Sequence, residues 1–423
     1  MRVRSGVVIV VAALAVLAMP CAGPVSAQST STDQAIRLNQ RQIQRRPQST
    51  TAYFRLGDAY VQKARQTGDL SYCTLAEQAL RRSLELAPGN AGAARHLAYV
   101  FSSRHEFVAA AAQAQQALAL DPTDSHAYGV LGDALLELGK DDEAGQAFDA
   151  MMGLDKSLYS FARLSGLRSL RGDPEGAIAE LRRAIEAGRT TGEPHESIAW
   201  AQWQLGVEHF AVGDLQAAET QYLEALKSYP NYYRALAALA QVRAAQHRAE
   251  EAIDLYRNAL GVIPFPEYAS ALGDLYTTLG RREEASKQYA LVEYIGRLNT
   301  LNRVVYNREL ALFYADHDMK LDEALALARL ELAIRHDIYG YDLLAWVLYK
   351  TGKPEEAVVP MTEALRFGTK DAKLFFHAGM IYRSLGQADR AREFLARALS
   401  TNPRFHLLHA PLAERTLMEL ETQ

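Results

Sequence analysis

Apolar residues recur through most of the chain at the spacing of an amphipathic helix. Tyr268, Leu272, Leu275 and Tyr276, for example, lie at i, i+4, i+7 and i+8 and share one helix face. Such segments often end at a glycine, and acidic residues then open a second apolar segment, as at 139–143. Glycine accepts the left-handed backbone of a helix end, and acidic side chains favour a helix start. The pattern therefore predicts an all-α chain built of helix pairs.

A period close to 34 residues organises these helix pairs. A small residue early in each second helix recurs at Ala76, Ala110, Ala144, Ala177, Ala218, Ala252, Ala285, Ala324, Ala357 and Ala391. Most successive members of this series are 33 or 34 residues apart, and a glycine stands five residues before six of them. A lone helix pair cannot bury its apolar face, so neighbouring pairs must stack into an elongated array.

The repeated residues resemble the tetratricopeptide repeat, a helix hairpin with characteristic Leu-Gly, Tyr, Ala and aromatic positions. One close copy is Leu272, Gly273, Tyr276, Ala285 and Tyr289. The resemblance implies a right-handed α-solenoid of about ten stacked hairpins. The predicted divisions are a signal peptide at 1–27, a capping helix at 28–48, units 1–4 at 49–190 with an insertion near 66–72, units 5–7 at 191–298, units 8–10 at 299–403, and a C-terminal capping helix at 404–423.

The first segment has the layout of a secretory signal peptide. Arg2 and Arg4 precede an uncharged, mostly apolar run at 5–18, and small residues follow at 25–27. A basic start, a short apolar run and a small-residue cleavage site are typical of such signals. We therefore expect cleavage after Ala27 and export.

Two other interpretations of this segment stay open. In one, Cys21 is the lipidated first residue of a lipoprotein; in the other, the apolar run remains as an uncleaved anchor. Beyond residue 27 no apolar run is long enough to span a bilayer, and no Asn-x-Ser/Thr acceptor occurs. We expect a periplasmic or secreted bacterial protein without a transmembrane span in the mature chain.

Charge narrows the class of partner. The chain carries 46 basic and 50 acidic residues, for a formal net charge of −4. A protein that neutralises a phosphate backbone needs an excess of positive charge, so nucleic acid is not the expected partner.

The resemblance also implies where a partner binds, because the first helices of such hairpins line a concave groove that takes proteins or peptides. The predicted groove residues are Phe54, Arg55, Arg95, Tyr99, Arg163, Trp203, Arg308, Trp346 and Phe376. Aromatic and arginine side chains dominate this set, and both are enriched at interaction hot spots. The alternative is that the aromatic residues pack between neighbouring first helices. We expect a non-catalytic interaction scaffold for a protein or peptide partner, with no cofactor and no metal, in which Trp203→Ala and Trp346→Ala lose the partner but keep the helices.

A second class of function rests on a few reactive side chains. Cys73 and His195 lie in or beside predicted insertions, and His406 and His409 are three residues apart. A metal- or thiol-dependent activity would use these groups. The chain lacks the nucleophile-elbow, phosphate-loop and dinucleotide motifs, so an enzyme is the less favoured alternative. Self-association through the terminal helices is a third possibility.

Overall fold

The computed structural model describes residues 27–301 and 307–422, which form 22 helices and no strand. The predicted signal peptide lies outside these residues, apart from its last residue, Ala27. The helices are α1 Ala27–Arg45, α2 Thr50–Thr67, α3 Ser71–Leu86, α4 Ala91–Ser103, α5 Phe107–Leu120, α6 Ser125–Glu137, α7 Asp141–Leu154, α8 Leu158–Leu170, α9 Pro174–Thr191, α10 His195–Ala211, α11 Leu215–Ser228, α12 Tyr233–Ala245, α13 Ala249–Val262, α14 Pro266–Thr278, α15 Arg282–Leu301, α16 Asn307–Asp316, α17 Leu321–Ile334, α18 Ile338–Lys350, α19 Pro354–Ala364, α20 Ala372–Ser384, α21 Ala388–Thr401 and α22 His409–Glu421.

Consecutive helices pack as ten antiparallel hairpins, from α2/α3 to α20/α21, with α1 and α22 covering the two ends. Each first helix also packs on the next first helix, as α4 does on α6 and α6 on α8. Each second helix contacts the first helix of the following hairpin, as α5 does with α6. The predicted all-α solenoid of about ten hairpins is confirmed.

Glycines in the first helices let the paired helices approach closely. A Cβ atom on Gly132 would lie 2.3 Å from Cε1 of Phe148, and one on Gly206 would lie 2.3 Å from Cε1 of Tyr222. Both aromatic rings come from the second helix of the same hairpin and are fully buried. The Leu-Gly position of the repeat is therefore a steric requirement of helix packing.

The turn inside each hairpin uses a left-handed residue at a fixed place. Gly172 has φ of 75° and Gly352 has φ of 76°. His105 and His247 occupy the same slot in two other hairpins, with φ of 61° and 63°. The sequence pattern, which places these histidines where glycine stands elsewhere, predicts this helix-end role correctly.

Successive turns of the superhelix touch, because loops of early hairpins contact loops of late hairpins. The α6–α7 loop meets the α17–α18 loop: Nε of Arg335 donates to Oε2 of Glu137 at 2.6 Å, and the amide of His336 donates to the carbonyl of Glu137 at 2.8 Å. The α8–α9 loop meets the α19–α20 loop, where the hydroxyl of Thr369 donates to the carbonyl of Leu170.

A third contact between loops of successive turns follows along the chain. The α10–α11 loop meets the α21–α22 loop, where Nδ2 of Asn402 donates to the carbonyl of Phe210 at 2.7 Å. Arg404 then reaches the α12–α13 loop, donating to the carbonyl of Ala245 at 3.0 Å. The first three contacts join loops eleven helices apart and the Arg404 contact joins loops nine apart, so one superhelical turn takes about five hairpins.

The predicted insertions lie at the C-terminal ends of two long helices. Helix α2 has 18 residues and ends at Thr67, and α9 has 18 residues and ends at Thr191. Arg65 lies in the last turn of α2, and this turn brings it to α10, four hairpins later in the chain. Over 27–301 and 307–422, no helix has both the length and the apolar character that a bilayer crossing requires.

Candidate functional site

The superhelix curves around a cavity of 1580 Å³, here called the inner cavity. One wall consists of side chains from the first helices α4, α6, α8 and α10, such as Tyr99, Arg163 and Trp200. The opposite wall comes from the starts of α12 and α14, with Tyr232 and Glu267. The groove expected from the sequence is therefore a deep cavity that is partly open to solvent.

Tyrosines make up much of the cavity wall. Tyr99 and Tyr159 lie half-buried on one side, and Tyr232 and Tyr233 are buried on the other. Burial raises the pKa of all four phenols, so they stay neutral at physiological pH. The half-buried rings of Tyr99 and Tyr159 offer apolar surface to a peptide, while the hydroxyl of Tyr159 already donates to Oε2 of Glu193 at 3.0 Å.

Most arginines of the inner cavity are neutralised by their own carboxylates. Nη2 of Arg65 lies 3.0 Å from Oε2 of Glu196, and Nη2 of Arg163 lies 2.6 Å from Oδ2 of Asp133. A paired guanidinium group holds the wall in place and has few donors left for a ligand, because its carboxylate partner already uses them. These arginines contribute little free positive charge to the cavity.

Arg234 is the exception. Its Nε donates to the hydroxyl of Tyr233 at 3.1 Å, and its guanidinium lies 5.1 Å from the ring centroid of Trp203 and 5.2 Å from that of Tyr233. Among the described residues, no carboxylate oxygen lies within 4.0 Å of the guanidinium nitrogens of Arg234. Glu267 lines the same cavity beyond that distance. Arg234 therefore presents a permanent positive charge, held on aromatic faces, to the interior.

The structure distributes the predicted groove residues over several environments. Tyr99 and Arg163 line the inner cavity, and Trp203 lies beneath Arg234. Arg95 binds Asp124 of the next hairpin with two contacts of 3.1 Å, so it joins hairpins. Arg308 lies 3.1 Å from Glu331 and 2.7 Å from Asp337, in an ion-pair network between α16 and α18.

Two further predicted residues lie near the N-terminal end. Phe54 packs edge-on against His96 at 5.4 Å, between the first two hairpins. Arg55 is exposed and lies beside α1, in a small separate depression. Neither side chain lines the inner cavity.

The assignment of Trp346 and Phe376 to the groove wall is wrong. Trp346 is 2% exposed and Phe376 is 0% exposed, and their ring centroids are 5.6 Å apart within the C-terminal core. For these two residues, the alternative interpretation, that aromatics pack between first helices, is correct. The neighbouring first helix and the capping helix α22 cover these rings, with His377 on Trp346 and His409 on Phe376.

Sequence reasoning missed Arg65, Glu196 and the Tyr232–Arg234 segment. Arg65 lies in the extra turn of α2, beyond the positions that the repeat pattern assigns to the wall. Tyr232–Arg234 follows Pro230 at the start of a first helix, ahead of those positions. Two tyrosines followed by an arginine after a helix-ending proline form the only local signal for this part of the cavity.

The candidate thiol does not have the properties of a nucleophile. Cys73 is 1% exposed, and burial raises the pKa of its thiol to about 11. Nucleophilic cysteines have a lowered pKa and an accessible sulfur. This environment argues against a thiol-dependent activity at Cys73.

The three candidate histidines do not form one cluster. His195 is exposed at the start of α10, far along the chain from the other two. His406 and His409 stack at 4.3 Å but face different carboxylates, with Nε2 atoms 3.9 Å from Asp274 and 3.7 Å from Asp316. The two stacked imidazoles therefore do not converge on one point as a pair.

Comparison with known proteins supports the repeat assignment. Family models described as tetratricopeptide repeat match residues 97–157, 157–231, 204–269 and 372–405. A tetratricopeptide repeat-containing protein of Methanocaldococcus jannaschii is 22% identical over 291 residues, which is 63% of this chain and 48% of that protein. The chain thus spans about half the length of this relative.

A solved structure with a TM-score above 0.5 shares this fold. A human IFIT1 dimer with m7Gppp-AAAA is 16% identical, with a TM-score of 0.52 over 80% of this chain and 77% of that one. Yeast Tom70 is 12% identical, with a TM-score of 0.40 over 94% and 93% of the two chains. The predicted tetratricopeptide repeats are confirmed, and this fold indicates a protein-interaction scaffold of a kind that is generally non-catalytic.

Proposed function

We propose that this chain is an exported, non-catalytic scaffold that binds an acidic protein segment in the inner cavity, with a carboxylate of that segment on Arg234. The single observation that carries the proposal is the cation at Arg234, which lies beside tyrosines and has no carboxylate at ion-pair distance among the residues described. A charged, partly desolvated group is costly unless it is paired, so a bound anion stabilises it.

The size and lining of the cavity favour a peptide over a small molecule. Small-molecule pockets occupy roughly 300–1,000 Å³. The inner cavity measures 1580 Å³ and is lined by tyrosines, arginine–carboxylate pairs, Arg234 and the carboxyl groups of Glu267 and Glu309. An extended segment would use the hydroxyls for its main chain and Arg234 for a side-chain or terminal carboxylate.

The test compares binding of short fluorescein-labelled peptides of glycine, serine and tyrosine that carry no, two or four glutamates. We expect fluorescence anisotropy to show affinity rising with glutamate number for the unmodified chain. Arg234→Gln should weaken binding of the four-glutamate peptide by about 10–100-fold, because a hydrogen bond to a charged group contributes about 1.5–3 kcal/mol.

Arg257→Gln is the matched control. Arg257 also donates to a tyrosine hydroxyl, at 2.9 Å from Tyr276, but its side chain is 57% exposed on the second helix α13. We expect this variant to bind like the unmodified chain. Equal affinity of the neutral and acidic peptides, or full binding by Arg234→Gln, would contradict the proposal.

Export is a separate part of the proposal, supported by the charged, apolar and small-residue order of residues 1–27. A scaffold in the cell envelope would hold partners of an assembly or secretion complex. In a bacterial host, N-terminal sequencing of chain recovered from the periplasmic fraction should read from Gln28. Recovery with Met1 in the cytoplasmic fraction would contradict export without affecting the peptide-binding test.

A further inference from the structure

A cluster of metal-binding side chains lies in the C-terminal core, away from the inner cavity. Asp316 at the end of α16, His377 in α20 and His409 at the start of α22 each offer one oxygen or nitrogen atom, and these atoms lie within 4.8 Å of one another. His377 is 0% exposed, His409 is buried, and the Asp316 side chain is almost buried. The cluster joins three helices that are distant in sequence.

The imidazole of His377 is oriented as a metal ligand would be. Its Nδ1 lies 2.8 Å from Oδ1 of Asp342, while its Nε2 is buried and makes no hydrogen bond. A carboxylate that accepts the Nδ1 proton of a neutral imidazole leaves the Nε2 lone pair free, and histidines that bind zinc are commonly held this way. A buried nitrogen without a partner costs free energy, which a bound cation would offset.

His409 and Asp316 complete the set. Nε2 of His409 lies 3.7 Å from Oδ1 of Asp316, and Nδ1 of His409 is a second buried nitrogen without a hydrogen bond. Nε1 of Trp346 donates to Oδ1 of Asp316 at 2.7 Å and so fixes that carboxylate. Lys373 lies on the other oxygen, Oδ2, at 3.8 Å.

We propose that Asp316, His377 and His409 bind one divalent cation of the zinc class, with Asp342 as a positioning residue. Two imidazole nitrogens and one carboxylate oxygen form a donor set that zinc accepts at about 2.0–2.2 Å, usually with a fourth ligand such as water. Binding draws the three donor atoms together from their present spacing. The ion would then tie the capping helix α22 to the last three hairpins.

The test uses the full chain after chelator treatment and dialysis, titrated with zinc alone by isothermal calorimetry. We expect one zinc per chain and a rise in melting temperature, because a ligand that binds only the folded state stabilises it. His377→Gln and Asp316→Asn should abolish the stoichiometric binding. Asp342→Asn should raise Kd by about 10–100-fold, the usual effect of losing the group that orients a ligand.

His195→Gln is the control, because His195 is exposed at the start of α10 and is not part of the cluster. We expect this variant to bind zinc like the unmodified chain. Absence of one-to-one binding in the unmodified chain, full binding by His377→Gln, or loss of binding in His195→Gln would each overturn the assignment. If His377→Gln loses its helical circular dichroism, the result for Asp342→Asn is used instead. A raised Kd for zinc in Asp342→Asn supports the site, and an unchanged Kd overturns it.

Discussion

Trp346→Ala lowers the free energy of unfolding of the C-terminal hairpins by about 3–5 kcal/mol, the cost of truncating a large buried aromatic side chain. Trp346 stacks on His377 at 4.1 Å and on Tyr349 at 5.1 Å. Its Nε1 also donates to the nearly buried Asp316 at 2.7 Å, so the substitution leaves both a cavity and a carboxylate without its donor. The sequence alone predicts loss of a partner with the fold intact, whereas the burial of Trp346 predicts loss of stability.

Trp203→Ala is the matched control, a tryptophan in a first helix that is only half-buried. Its loss should cost about 1–2 kcal/mol, because less apolar area is buried there. Repeat arrays unfold with limited cooperativity, so hydrogen exchange read by mass spectrometry is the suitable measurement. Trp346→Ala should lose protection across α16–α22. Equal effects of the two substitutions, or unchanged protection in Trp346→Ala, would contradict the buried position.

Gly172→Ala should separate the two turns of the superhelix. A Cβ atom on Gly172 would lie 2.5 Å from the carbonyl oxygen of Gly368, a backbone atom in the α19–α20 loop that cannot rotate away. The neighbouring hydrogen bond from Thr369 to Leu170 would be lost with it. Overpacking of this kind costs about 1–3 kcal/mol, added to the cost of a left-handed alanine. Small-angle scattering should show a larger radius of gyration.

Gly352→Ala separates the two contributions. Gly352 has the same backbone conformation, with φ of 76°, but a Cβ atom there would meet nothing within 4 Å. Both variants should lose the roughly 1–2 kcal/mol that a left-handed non-glycine residue costs. Only Gly172→Ala should expand. An equal radius of gyration for the two variants would show that the turns do not depend on this contact.

The hairpins could be predicted from the sequence because each is specified locally. A small residue such as Ala144, a turn residue such as Gly139 and the acidic residues after it act within one hairpin and recur in the next. The repeat period then implies stacking, since every hairpin has the same apolar face to cover. Helix pairing therefore requires no knowledge of distant residues.

The candidate site depends on distances that the repeat pattern does not contain. Arg335 and Glu137 are 198 residues apart, and their contact depends on how small rotations between hairpins accumulate. The same coiling brings Arg65 to Glu196. Positions on one hairpin predict which side chains point inward, but the pitch of the superhelix decides whether they meet solvent, a core or a second turn.

The contacts between successive turns restrict how anything reaches the interior. A folded domain entering between the turns would have to break the contacts of Arg335 with Glu137 and of Thr369 with Leu170, whereas an extended segment could enter through the open part of the cavity. For a partner that enters from the side, the rate at which these contacts open would limit both the association rate and the dissociation rate. A bound segment would then be retained by the contacts between turns as much as by its own contacts with the cavity wall.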